Sequence, residues 1–232
     1  MDIRGFIETS LIDWDGKISS VIFLPGCNLS CPFCHNYPLV FHPEELKKFE
    51  LEDIKKYLIE HKNWIDAVVI SGGEPTTHKE LEGFIKEFKS LGFLVKLDTN
   101  GTNPKMLKEL LEKKLIDYIA MDVKGPLNEK YEKLSGCKVN LGAIKESIKI
   151  LKGSDIDYEF RTTVVPGLLE IKDILDLAKD IAGAKKFIIQ QFDPKNAVDE
   201  GLRSLKSFAK EKLLEMAEAA KEYVPNTTIR GA

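Results

Sequence analysis

Three cysteines, Cys27, Cys31 and Cys34, crowd one short loop, LPGCNLSCPFCHN, directly behind an apolar run. Their spacing is Cys-x3-Cys-x2-Cys. Three thiolates can hold three corners of a cubane iron–sulfur cluster and leave the fourth iron open to a substrate, whereas clusters that only carry electrons normally take four cysteines. The same spacing would also put the three residues on one face of a helix. Against that, Pro32 would break an interior helical turn, and Pro25-Gly26 reads as a turn ahead of the first cysteine. A structural zinc site is another alternative. It closes with four ligands, and His35 or Cys137 would have to supply the fourth.

Around this loop the chain alternates short apolar runs with amphipathic stretches. Strands are expected over 18–24, 67–71, 94–98, 118–123, 157–164 and 187–191, and helices over 51–61, 79–91, 104–113, 141–151, 171–181 and 204–223. Repeated βα alternation predicts a parallel sheet with right-handed crossovers. Six such units fall short of the eight of a closed barrel, and alternation alone leaves a doubly wound sheet open. Residues 225–232 read as a short edge strand. The stretch after Cys34 reads as a connection, and no linker or repeat interrupts the 232 residues, so a single domain over 1–232 is expected.

Net charge is −3, which gives no electrostatic footprint for nucleic acid. No apolar run is long enough to span a bilayer, and the acid-bearing N-terminus lacks a signal-peptide core. Clustered cysteines suit a reducing compartment better than a disulfide framework, so a cytoplasmic protein is expected.

The unusual residues gather at the carboxyl ends of the expected strands, the rim that carries the site in parallel α/β folds. SGGEPT follows the second strand, DTNG the third, MDVKGP the fourth, VVPG the fifth and QQFDP the sixth. Adjacent glycines can form a simple turn, or let a backbone approach a ligand closely, and Glu74 beside them can accept from an ammonium group. DTNG reads as a turn or a helix start. Asp98 and Asp122, at neighbouring strand ends, need a cation or a basic partner between them, and Lys124 faces the same side as Asp122. Arg161 suits either a neighbouring acid or a ligand carboxylate. His35 and Asn36 read as cap or supporting residues, His42, His61 and His78 as surface or cap residues, and Cys137 as packing.

The cysteine loop with Phe33 before its last cysteine, and Gly72-Gly73-Glu74 after the second strand, resemble the radical S-adenosylmethionine (radical SAM) enzymes. The string GCNLSCPFCHN resembles the activating enzymes of glycyl-radical proteins, above all those of anaerobic ribonucleoside-triphosphate reductase, and DTNG, MDVK and RTTVVPG resemble such activases in general. The resemblance implies an α/β fold, a partial (β/α)6 barrel open on one side. It implies a [4Fe–4S] cluster on Cys27, Cys31 and Cys34, and S-adenosylmethionine (SAM) held by Phe33, Gly72, Gly73, Glu74, Asp98, Thr99, Asp122, Lys124, Arg161 and Gln191. A monovalent cation near Asp98 and Asp122 is implied as well. Gln191 stands where such activases often present a His to the ribose, and Gln190 competes for that place. The implied reaction is reductive cleavage of SAM to a 5′-deoxyadenosyl radical that makes a glycyl radical on a partner enzyme. Flavodoxin or ferredoxin is the implied electron donor. The chemistry is cofactor-borne, so no protein acid–base pair is expected. Alternatives are a pyruvate formate-lyase-type activase, a small-molecule enzyme such as 7-carboxy-7-deazaguanine synthase, and a non-catalytic zinc or iron–sulfur protein.

Overall fold

The computed structural model describes residues 1–231. Eight strands form one sheet in chain order: β1 (Gly5–Ser10), β2 (Ser19–Leu24), β3 (Ala67–Gly72), β4 (Leu94–Thr99), β5 (Tyr118–Asp122), β6 (Asp157–Val164), β7 (Phe187–Gln191) and β8 (Thr227–Arg230). β1 pairs antiparallel with β2, and the pairs β2–β3, β3–β4, β6–β7 and β7–β8 are parallel. The sheet is not closed, since β1 and β8 are its two edges. This is the expected α/β partial barrel, with an extra strand at each edge. Nine α-helices occur among the described residues: α1 (Tyr37–Phe41), α2 (Leu51–Glu60), α3 (Leu81–Ser90), α4 (Pro104–Glu112), α5 (Lys130–Ser135), α6 (Leu141–Lys152), α7 (Ile171–Asp180), α8 (Glu200–Arg203) and α9 (Lys210–Ala220).

The chain forms two compact units. The first comprises Met1–Asn28, Asn36–Thr99 and Lys105–Ile119. Its strands are near-continuous apolar runs because both faces are covered: Ala67, Val68, Val69 and Ile70 of β3 are fully buried. α3 lays Leu81, Phe84, Ile85 and Phe88 into this core, one stripe at helical spacing. Asp117 ties the helix to the sheet, accepting from Lys89 Nζ at 2.7 Å and from the backbone N–H of Val95 at 2.7 Å.

The second unit comprises Leu29–His35, Asn100–Pro104 and the chain from Ala120 onward. Asn140 caps α6 by accepting from the N–H groups of Gly142 and Ala143, and Glu170 and Asp173 form a reciprocal capping box at α7. Buried Glu159 on β6 accepts from Arg230 of β8 at 2.8 and 3.2 Å, with Lys186 Nζ at 3.5 Å. This two-pronged pair holds a four-residue edge strand that has little side-chain burial of its own.

Several features differ from the sequence expectations, among them the four-residue α8. β1 was not expected, because its polar, half-exposed residues carry a weak strand signal. α1 and α5 are too short for a 3.6-residue period to show. The expected helix over 204–223 starts only at Lys210, because Ser207 Oγ donates to Phe192 O and Gln191 Nε2 donates to Phe208 O, which holds that stretch extended. The edge strand expected over 225–232 is β8, with Ala232 outside the described residues. No helix among the described residues is long and apolar enough to cross a membrane.

The Glu159 pair makes a stability prediction. Arg230→Met strips a buried carboxylate of its bidentate partner and should lower the unfolding free energy by about 3 kcal/mol. Urea unfolding monitored by circular dichroism measures the change; a loss under about 0.5 kcal/mol would mean that the pair contributes no more than a surface ion pair.

Candidate active site

In the first unit the site is built where β2, β3 and β4 end. Leu24 is in register with Gly72. The ladder runs on past the strands, with Gly73 N donating to Leu24 O and Glu74 N donating to Gly26 O, both at 2.8 Å. Gly72 has φ +122°, a conformation L side chains rarely adopt, and a Cβ on Gly73 would lie 1.8 Å from Gly26 O. The glycine pair is therefore needed for the backbone of the cysteine loop and that of the GGE segment to touch. Asn36 secures the arrangement by donating from Nδ2 to Gly72 O at 3.0 Å, and His78 Nε2 lies 2.9 Å from Pro25 O. His78 thus braces the loop, a role with no signal in its spacing. His35 is exposed.

Glu74 is 1% exposed. Its Oε1 accepts from Thr76 N at 3.0 Å, from Thr76 Oγ1, and from Thr99 Oγ1 at 2.7 Å. The carboxylate expected to meet a ligand ammonium is thus engaged by the protein, and Thr99 serves Glu74. Asp98 accepts from Ser71 Oγ at 3.1 Å on one oxygen, while its other lies 3.5 Å from Lys96 Nζ.

In the second unit Cys31, Cys34, Asp122, Lys124 and Arg161 come together. Asp122 Oδ1 accepts from Arg161 Nε at 2.8 Å, and Oδ2 from Lys124 Nζ at 3.1 Å. Burial alone would push the Asp122 carboxyl up, but Arg161 and Lys124 outweigh it and hold it at about 2. Burial also acts against the Lys124 ammonium, yet Asp122 with Cys31 raises it above the usual lysine range. Burial pushes the Cys31 thiol up, opposed by Lys124 and reinforced by Cys34, Asp122 and Cys137. Tyr131, fully buried, has its hydroxyl 3.4 Å from the backbone N of Lys124, and burial pushes its phenol up. Cys137, expected only to pack, is close enough to act on Cys31. The backbone explains this: Ser30 N donates to Ser135 O at 2.9 Å, docking the segment before Cys137 on the cysteine loop. Phe33 is buried inside the loop.

Each rim carboxylate thus has protein cations, Asp98 with Lys96 and Asp122 with Lys124 and Arg161. The monovalent cation near Asp98 and Asp122 is what the family resemblance implies, and neither carboxylate lacks a cationic neighbour in the protein. Lys96 escaped the sequence reading, although two-residue periodicity places it on the face of Asp98.

The residues fit a cluster and SAM. Three thiols occur in one loop, and the Lys124 ammonium beside Cys31 works against the rise that burial imposes on its thiol, toward the thiolate that iron coordination requires. Gln191 Oε1 is buried with no hydrogen-bond partner among the described residues, while Nε2 donates to Phe208 O at 2.6 Å. The orphaned acceptor is suited to a ligand hydroxyl.

The folded-state carboxyl of Asp122, at about 2, lies below its ordinary 3.8. Its contribution to stability is therefore complete above about pH 4 and is lost as pH falls through about 2. Asp122→Asn should remove that component, so its unfolding free energy should fall less steeply than the wild type's from about pH 4 to about pH 2. Parallel slopes in denaturant titrations would refute the ion-pair assignment.

Comparison with known proteins agrees with the fold. The model of the radical SAM superfamily matches residues 21–181. A Methanocaldococcus jannaschii protein described as a candidate glycyl-radical enzyme activating enzyme is 41% identical, over 98% of this chain and 95% of its own. The pyruvate formate-lyase-activating enzyme of Clostridium pasteurianum is 27% identical, over 96% of this chain and 98% of its own. Among solved structures, Streptococcus suis SuiB bound to S-adenosylmethionine shares the fold at a TM-score of 0.68 and 17% identity, over 91% of this chain and 52% of that one. The chain belongs to the radical SAM superfamily, in its glycyl-radical enzyme activating branch, an enzyme class whose cofactors are a [4Fe–4S] cluster and SAM.

Proposed function

We propose that this enzyme activates an anaerobic ribonucleoside-triphosphate reductase by generating a glycyl radical on it. The observation that carries the reading is the string CHN with its Asn36–Gly72 hydrogen bond of 3.0 Å, which makes this activase-like motif part of the glycine-pair scaffold. DTNG and VVPG in the same chain point to a glycyl-radical activase rather than a small-molecule enzyme. The full-length likeness to the Clostridium pasteurianum enzyme supports a second reading, a pyruvate formate-lyase-type partner.

In this proposal Cys27, Cys31 and Cys34 hold the cluster. The backbone of Gly72 and Gly73 takes the methionyl amino group, and buried Glu74 and Thr99 keep that backbone in place. Lys124 and Arg161, already organised by Asp122, present their positive charge to the methionine carboxylate. Gln191 Oε1 accepts from a ribose hydroxyl, and Asp98 supplies charge at the end of β4. Phe33 fixes the turn between the last two cysteines. When bound, the cluster and SAM supply one low-potential electron and a 5′-deoxyadenosyl radical, leaving methionine. The hydrogen atom comes from a glycine Cα of the partner, so the products are 5′-deoxyadenosine and a glycyl radical. A flavodoxin or ferredoxin supplies the electron, and the reducing cytoplasm is the compartment that suits these thiols.

Anaerobic reconstitution tests the reading. The reduced protein should change its paramagnetic signal on addition of SAM, release 5′-deoxyadenosine, and place a glycyl radical on an anaerobic ribonucleotide reductase but not on pyruvate formate-lyase. Cys31→Ala should abolish all three. A radical on the lyase alone moves the assignment to the second reading. SAM cleavage with no radical on either protein would point to a small-molecule substrate instead.

A further inference from the structure

Lys96 is a buried lysine that the reaction as proposed does not use. Its side chain is 3% exposed, in the middle of β4. Residues 96 and 98 face the same side of the strand, and Nζ lies 3.5 Å from Asp98 Oδ1. Nζ also donates to the backbone carbonyl of Asp13, in the turn that joins β1 to β2. It stands 5.5 Å from the centroid of the Tyr118 ring, against which Trp14 packs at 5.4 Å. A carbonyl, a carboxylate and an aromatic face thus surround one ammonium, a set that fixes a flexible four-carbon stem in one pose. Burying an ammonium is costly unless such partners are present. Asp98 gains in return, for its other oxygen is held by Ser71 at 3.1 Å. One carboxylate oxygen accepts from a hydroxyl, and the other lies within ion-pair distance of, but is not hydrogen-bonded to, a cation on the same strand.

We propose that Lys96 is a positioning residue, a built-in cation that orients Asp98 for SAM, so that the site binds SAM without a dissolved alkali-metal ion. The inference rests on the assignment of Asp98 to the SAM site. A carboxylate stripped of a tethered ammonium of this kind leaves room for, and attracts, a small cation from solution. Loss of Lys96 should therefore create a dependence on added salt that the wild type lacks.

The test is calorimetric titration of SAM into cluster-reconstituted protein, with tetramethylammonium as the only inorganic-salt replacement and then with potassium or sodium chloride. The wild-type Kd should change less than about twofold between the salts, whereas Lys96→Met should bind at least about tenfold more weakly in tetramethylammonium and recover most of that loss in potassium or sodium. Iron content and circular dichroism establish that the variant is loaded and folded. Three results overturn the proposal: a wild-type affinity that itself rises about tenfold with potassium, a variant that binds like the wild type in tetramethylammonium, or a folded, loaded variant that neither ion restores. Should Lys96→Met fail to load a cluster, the wild-type salt comparison still decides, since independence upholds the proposal and dependence overturns it. A wild-type holoprotein that binds no SAM in either salt overturns the SAM-site assignment, and the role of Lys96 with it.

Discussion

Two backbone hydrogen bonds, from Gly73 to Leu24 and from Glu74 to Gly26, carry the β2–β3 ladder beyond the strands and into the loop that begins the cysteine motif. They require a backbone approach that no side chain at 73 permits and a φ at 72 that favours glycine. Much of the first unit's site follows from this approach. It places Gly72 O where Asn36 reaches it, and it starts the turn that buries Glu74 under Thr76 and Thr99. A buried carboxylate accepting several hydrogen bonds is rigid as well as satisfied. The acid of the GGE segment therefore anchors the backbone that follows the glycine pair.

In the second unit the organising element is charge. Asp122 spends one oxygen on Arg161 and the other on Lys124. Two cations around one carboxylate leave a net positive charge beside Cys31. A thiolate at Cys31 profits from that sign. The same pairing holds both long side chains in one orientation.

What the sequence disclosed divides along physical lines. The cysteine loop, the βα rhythm and the rim strings were legible because Pro, Gly and apolar periodicity act locally, and the strand ends agree with expectation to within a residue or two. Lys124 meeting Asp122 followed from two-residue alternation alone. Long-range contacts were not legible. Nothing local announces that Glu74 will be enclosed by Thr99, that Gln191 will hold residue 208 out of a helix, or that a loop dozens of residues away will bring Cys137 to Cys31. Lys96 lay between these classes: alternation puts it on the face of Asp98, but the Asp13 carbonyl and Tyr118 ring that enclose it are distant in sequence.

The strictly sequential order of the sheet has a consequence for how the protein is made. Every strand pairs with the one synthesised just before it, and the last, β8, adds to an edge already in place. Such pairing keeps loop closures short and lets the sheet grow by accretion as the chain leaves the ribosome. At each stage the exposed edge of the growing sheet is the one awaiting the next strand to emerge. The two edges left at the end are a half-exposed strand with a register shift and a strand of only four residues. Both are poor templates for another chain, which limits edge-to-edge aggregation.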